Sequence, residues 1–292
     1  MRYLILLFGV FACATSVIFI RTSSTDPLLL SAYRLLLGVV FLLPLTWRAR
    51  RRHPTYRMSR EFRQVLWPGA LLALHFITWI DGARQTAAAN ATLLVNMTPV
   101  AMPFFLWFVA RERVTRGEML GTLVALMGVV LLVGADLRYA GQNVLGDVIC
   151  FVSMLLYTAY LAFARRNRAI PSIYLYVVPL YTVAGVLCLA AGLVRWFLVP
   201  EVGLIGDKGG AELIAIVGLA LVPTVLGHST INWAFKHIRG QAVSTINLSQ
   251  AIFAAAMAAF ILHEIPGPAL YLAGGLILCG AVVVVRSGRT LV

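Results

Sequence analysis

Residues 111–133 read RERVTRGEMLGTLVALMGVVLLV and residues 263–285 read HEIPGPALYLAGGLILCGAVVVV. Glu112 aligns with Glu264, Leu126 with Leu278, Gly128 with Gly280 and Val133 with Val285, all at an offset of 152 residues. Near the start of the chain, Arg21 and Pro27 align with Arg165 and Pro171 at an offset of 144. The second half therefore carries about eight extra residues, which the Gly-rich loop 203–210 can hold. A repeat of this period sets the architecture before any single residue does.

Each copy ends in an apolar run long enough to cross a bilayer, since a helix rises 1.5 Å per residue and a span needs ~20 residues. Comparable runs fall at 3–20, 27–47, 65–83, 87–110, 117–134, 145–164, 172–198, 212–235, 241–262 and 267–285. Barrel strands would be ~10 residues long and alternate apolar with polar, a pattern missing from this sequence. The expected fold is an all-α integral membrane protein of ten transmembrane helices, built as five-helix repeats over 1–140 and 141–292. The first run reads as a retained span, because no small-residue cleavage site closes it before Arg21. Five is odd, so the second repeat is expected upside down relative to the first.

Charge placement supports this count. With both termini cytoplasmic, 18 of the 24 Lys and Arg fall on inner segments and five on outer ones, with Arg34 inside the second span. One missed span would reverse every later loop. The copies agree: RERVTR is basic and inside, whereas HEIPGP has no Lys or Arg and is outside. The net charge of +13 thus marks the cytoplasmic face, and the basic segment 48–63 reads as a topology signal beside an anionic leaflet, with no nucleic acid as partner. Soluble domains are about 25% charged, against 12% here. Cys13, Cys150, Cys188 and Cys279 all lie in apolar runs without metal spacing, so neither disulfides, metal nor cofactor is expected.

Inverted repeats are a hallmark of secondary transporters, whose halves rock about a site near the bilayer midplane. The repeated Glu before a Gly-punctuated span, with Tyr33-Arg34 in span two and Thr98-Pro99-Val100 in span four, resembles the drug/metabolite transporter superfamily, in particular its EamA-type ten-helix members. Within them the chain looks most like the YddG-type amino-acid exporters. The resemblance implies that spans one, three, four, six, eight and nine surround a central cavity, in a multi-pass protein of the cell inner (cytoplasmic) membrane. One departure stands out: Gln250-Ala251 occupies the second-half position of Thr98-Pro99.

Polar groups at membrane depth are costly unless paired or facing water, so each is a candidate site residue. Helical spacing puts His75, Thr78 and Trp79 on one face of span three, and Thr224, His228 and Asn232 on one face of span eight. Span four offers Asn90, Asn96 and Thr98, span six Ser153, Tyr157 and Tyr160, and span nine Ser244, Thr245, Asn247, Ser249 and Gln250. Pro99, Pro103, Pro179 and Pro223 can bend their helices and free carbonyls, which makes Pro99, Pro103 and Pro223 candidate gating residues. Each has a plainer reading: His75 and His228 as hydrogen-bonded core histidines, Arg34 paired with a carbonyl or an acidic loop residue, and Glu112 and Glu264 as N-caps of spans five and ten. Gly121, Gly128, Gly274, Gly275 and Gly280 serve either intrachain packing or a homodimer, so the chain is expected to be a monomer or weak homodimer.

The inventory limits the cargo. A cationic-drug pump wants a membrane-embedded carboxylate, absent from span one, and a phosphate carrier wants paired cations. Amides and hydroxyls beside Trp79, Tyr157 and Tyr160 suit a zwitterion. The expected function is export of neutral or aromatic amino acids, or similar small amphipathic metabolites, by alternating access; multidrug efflux is the alternative. Proton coupling would have to run through His75 and His228. An enzyme is not expected, since His263-Glu264 lacks the second His of a zinc-protease motif and His53 stands alone among arginines.

Overall fold

The structure is a computed structural model and describes residues 1–56, 58–86, 88–134, 144–262 and 268–288. Its described elements are helices: α1 (Arg2–Ala14), α2 (Ser16–Thr22), α3 (Pro27–Arg52), α4 (Met58–Gln85), α5 (Ala88–Asn96), α6 (Thr98–Phe105), α7 (Arg116–Gly134), α8 (Val144–Arg166), α9 (Tyr174–Leu198), α10 (Gly210–Leu219), α11 (Ser229–His237), α12 (Gly240–Asn247), α13 (Gln250–Leu262) and α14 (Pro268–Gly288). Two π-helical stretches complete them, Leu106–Ala110 after α6 and Ala220–His228 between α10 and α11. Joined end to end, these segments fall on the ten apolar runs of the sequence.

Among the described residues, seven helices are long and apolar enough to cross a membrane. The outer surface reverses that of a soluble protein, with Trp67, Phe104, Phe108, Val130 and Phe197 exposed while Arg34, Glu118 and Glu212 are buried. The chain is an all-helical membrane protein. Helix starts follow local chemistry: Asp26 accepts the Leu28 amide at 2.9 Å while Pro27 opens α3, where its missing N–H costs nothing. At the other end α3 runs beyond the apolar stretch to Arg52, because Arg50, Arg51 and Arg52 suit the partial negative charge of its C-terminus.

Four spans are not continuous α-helices. Span one breaks at Thr15, whose hydroxyl turns back to the Ala12 carbonyl at 2.8 Å. Span four breaks at Met97, directly before the Thr98-Pro99 start of α6. Span nine breaks at Leu248 and Ser249, whose amides donate to Thr245 and Ile246. At the repeat offset of 152 residues, Met97 corresponds to Ser249. The two halves thus interrupt the same span at the same place, although only the first has the proline. The prolines expected to bend spans four and eight instead accompany helix widening: Pro103 precedes one π-helical stretch and Pro223 lies within the other. A proline cannot donate to the carbonyl four residues back, and a shifted hydrogen-bond register accommodates that gap.

Packing between spans follows a simple exchange rule. Helix α3 lies along α9, and α7 along α14; α4 packs on α8 and α9, while the span from α10 to α11 packs on α1 and α3. Exchanging each of the first five spans for its counterpart in the second five maps this set onto itself. Glycine permits the closest approach. A Cβ on Gly280 would lie 2.4 Å from the Gly121 carbonyl oxygen, and one on Gly128 would lie 2.6 Å from that of Ala273. These three glycines therefore serve intrachain packing, whereas a Cβ on Gly275 would meet nothing within 4 Å. We expect Gly280→Ala to cost about 1–3 kcal/mol, the range for overpacking, and Gly275→Ala to leave stability unchanged; thermal unfolding of the purified protein in detergent checks both.

Candidate functional site

The polar residues of spans three, six and eight meet in one buried cluster. Ser153 in α8 donates its hydroxyl to the His75 carbonyl at 2.9 Å, and His75 Nδ1 lies 2.9 Å from the same hydroxyl oxygen. The His75 ring stacks on Tyr157 with centroids 4.6 Å apart and lies 6.3 Å from that of His228. The Tyr160 hydroxyl sits 3.2 Å from His228 Nδ1 and accepts a bond from Asn232 Nδ2, also at 3.2 Å. Phe76 touches both histidines, each at 5.0 Å between centroids. Its role is not apparent from the sequence, because an aromatic next to a histidine reads as ordinary core.

A second chain of polar groups joins spans four and nine across their breaks. Asn247 donates to Asn96 Oδ1 at 3.2 Å, and Gln250 donates to Asn247 Oδ1 at 2.7 Å. Thr98 is buried beside this chain, and its Oγ1 has no partner among the described residues. Asn232 Oδ1 and Ser249 Oγ are likewise buried without a partner among them.

Two expected members stand apart. Thr78 spends its hydroxyl on its own helix, 2.7 Å from the Leu74 carbonyl and 3.1 Å from that of His75, and Trp79 is buried without a ring contact to the cluster among the described residues. The side chain of Asn90, and Glu264 of the repeat, lie outside the described residues. The rest of the set is packed in this conformation, with His75, Tyr157 and Asn247 each no more than 3% exposed.

Two of the candidate gating prolines, Pro103 and Pro223, free carbonyls that side chains take up. Pro103 leaves the Pro99 carbonyl without its usual donor, and Gln241 Nε2 from span nine takes it at 3.2 Å. Pro223 does the same to Leu219, whose carbonyl accepts the Thr224 hydroxyl at 2.7 Å. Pro68 leaves the Gln64 carbonyl, which Asn167 Nδ2 reaches at 3.4 Å. Gln241 also donates to Thr122 Oγ1 at 2.8 Å, which ties α12 to α7. Gln241 and Asn167 are not identifiable as partners from the sequence, since they come from distant parts of the chain; Thr224 lies within its own span.

On the side assigned inward by charge, the loop after span four clamps the second half. Arg165 pairs with Glu112 and donates to the Phe235 and Ile238 carbonyls, each at 3.1 Å. Glu112 does not cap span five as expected. It accepts the Gly240 amide at 3.0 Å and so caps α12, a helix of the other half. Span five is capped by Glu118, which accepts the Thr115 amide at 2.8 Å while its own amide bonds to the Thr115 hydroxyl, a reciprocal box legible as Thr115-x-x-Glu118. Glu118 also pairs with Arg239 and holds that guanidinium above its already high range. On the opposite side, Glu212 accepts bonds from Ser23, Ser24 and Thr25, and Arg84 donates to the Thr25 and Ser23 carbonyls.

The comparisons decide the family. The EamA-like transporter family matches residues 1–134 and again residues 144–286. This chain belongs to that family. It is a secondary transporter of small metabolites and not an enzyme. No curated protein matches the chain. A solved structure described only as a crystal structure of a protein has the same fold, with a TM-score of 0.79 over 99% of this chain and 98% of that one, at 20% identity.

Glu112 and Arg165 are largely buried, at 9% and 11% side-chain exposure. Removing one partner of such a pair costs about 3–5 kcal/mol. We expect Glu112→Ala to lower stability by that order, and Glu112→Met combined with Arg165→Met to cost less than the two single replacements added together. Chemical denaturation in detergent of the wild type, Glu112→Ala, the two single methionine variants and the double variant measures the differences.

Proposed function

We propose that this transporter exports neutral or aromatic amino acids, in the manner of the YddG-type exporters, by alternating access through the cluster of His75, Tyr157, Tyr160, His228, Asn232, Asn96, Asn247 and Gln250. The observation that carries the reading is that three of the buried oxygens left without a partner among the described residues, Asn232 Oδ1, Thr98 Oγ1 and Ser249 Oγ, are on residues in or next to this cluster. Such atoms are expensive in a membrane interior. Each can accept a bond from an ammonium group, and the rings of His75, Tyr157 and Tyr160 beside them can cover an apolar side chain. A bound solute would satisfy what the protein alone does not.

In this reading the repeats over 1–140 and 141–292 are inverted, both termini are cytoplasmic, and the protein acts in the inner membrane as a monomer. The exchange symmetry of the packing and the distribution of Lys and Arg both support it. Alternation requires the halves to part on one face at a time. The Glu112–Arg165 and Glu118–Arg239 contacts hold the inner face, so the conformation described here is closed on that side. Pro99, Pro103 and Pro223 act at the points where span four and span eight depart from α-helix, and opening breaks the Gln241–Pro99 bond.

Purified protein in liposomes is expected to give saturable flux of labelled phenylalanine or leucine, with KM raised about tenfold by Tyr157→Ala. Flux that is absent, or linear in concentration, overturns the reading. Repeating the measurement with and without a pH gradient, in wild type and His228→Gln, checks coupling: gradient-driven flux should disappear in the variant while exchange flux persists.

A further inference from the structure

We propose that Arg34 is the anion receptor of the central site, binding the carboxylate of the cargo. The inference rests on the reading of the adjacent cluster as the cargo site and adds to it the group that recognises the negative end of the solute.

The Arg34 side chain is fully buried at membrane depth. Its Nε donates to Thr224 Oγ1 at 3.0 Å, Nη1 reaches Ser16 Oγ at 3.4 Å, and the guanidinium stacks over the Phe76 ring at 4.1 Å. All three neighbours are neutral. Nη2 has no partner among the described residues. Among the described residues, ion pairs join Arg165 to Glu112, Arg195 to Asp26 and Arg239 to Glu118, and none reaches Arg34. The expected pairing with an acidic loop residue is therefore not found among the described residues.

A buried, uncompensated cation is among the costliest groups a membrane protein can hold, and it marks a functional site. The geometry says what would compensate it. The planar fork of a guanidinium matches the two oxygens of a carboxylate, and one cation balances one negative charge, which disfavours a phosphate dianion. The location connects this charge to the cluster. Thr224 lies in the same π-helical stretch as His228, and Phe76 separates the guanidinium from both histidines by one ring. Asn232, one helical turn beyond His228, has the unpaired acceptor oxygen for an ammonium. A donor for the carboxylate thus lies on Phe76, and an acceptor for the ammonium lies one turn from His228, whose ring also contacts Phe76, as an amino acid requires.

Binding tests this without relying on transport. Thermal unfolding of the full-length protein in detergent is followed with phenylacetate, with its neutral isostere phenylacetamide, and with chloride alone. Phenylacetate should raise the Tm of the wild type well beyond either of the others. Arg34→Met should abolish that shift while its own ligand-free Tm equals or exceeds that of the wild type, because an unpaired buried charge has been removed. A structural arginine would instead lower Tm on replacement. Should Arg34→Met fail to fold, Arg34→Lys carries the test, with phenylacetate binding weakened about tenfold by loss of the fork and phenylacetamide unaffected. Equal stabilisation by phenylacetate and phenylacetamide, an undiminished phenylacetate shift in either variant, or chloride matching phenylacetate overturns the assignment. Absence of amino-acid flux in liposomes would refute the exporter reading and leave these binding results standing.

Discussion

Hydrocarbon offers no hydrogen bonds, so every backbone group that a span leaves unpaired must find a partner inside the protein. This constraint organises the interior. Each interruption of a helix creates a demand, and the polar side chains at depth supply it. Gln241 reaches the Pro99 carbonyl from the other half of the chain, Asn167 reaches Gln64, and Thr224 serves Leu219 within its own span. The buried polar atoms left unpaired among the described residues are few, and three of them, on Thr98, Asn232 and Ser249, lie on spans four, eight and nine. A site emerges as the remainder of the hydrogen-bonding demand.

Both faces carry ion pairs between the halves, but their surroundings differ. On the side assigned inward by charge, a loop of one half pairs with helix ends of the other, and Arg165 and Arg239 also take up carbonyls. On the opposite side, Arg195 pairs with Asp26, and hydroxyls and amides of the first interhelical loop gather around Glu212, with Arg84 bound to backbone oxygens of the same loop. Because Glu112 caps α12, parting the inner face exposes a helix end as well as separating two charges. That couples the geometry of span nine, and so the position of Asn247, to the state of the inner loop.

Much of this was legible in the sequence, for identifiable reasons. Span positions depend on the local length of apolar runs, and the repeat offset is a property of the chain alone. The His228–Asn232 pair follows from helical spacing. Tertiary choices were not legible. Thr78 lies three residues from His75, also on its face, yet a helical threonine can satisfy its hydroxyl on the preceding turn, and here it does. The Thr115-x-x-Glu118 box at the start of span five is legible, but only the fold decides that Glu112, just before it, crosses to α12. The break at Leu248 and Ser249 has no proline to announce it; a single sequence does not reveal that a helix yields there because its partner in the other half does.

Thr224 has one proton and gives it to the Leu219 carbonyl, so only lone pairs remain to receive Arg34. The repair of the proline gap in span eight and the seating of the buried guanidinium thus share a single hydroxyl whose direction is already fixed. The orientation that mends the helix is also the one that presents an acceptor to the cation. Any change at Pro223 that frees that proton would turn a donor toward a positive charge, so the proline, the threonine and the arginine can vary only as a set.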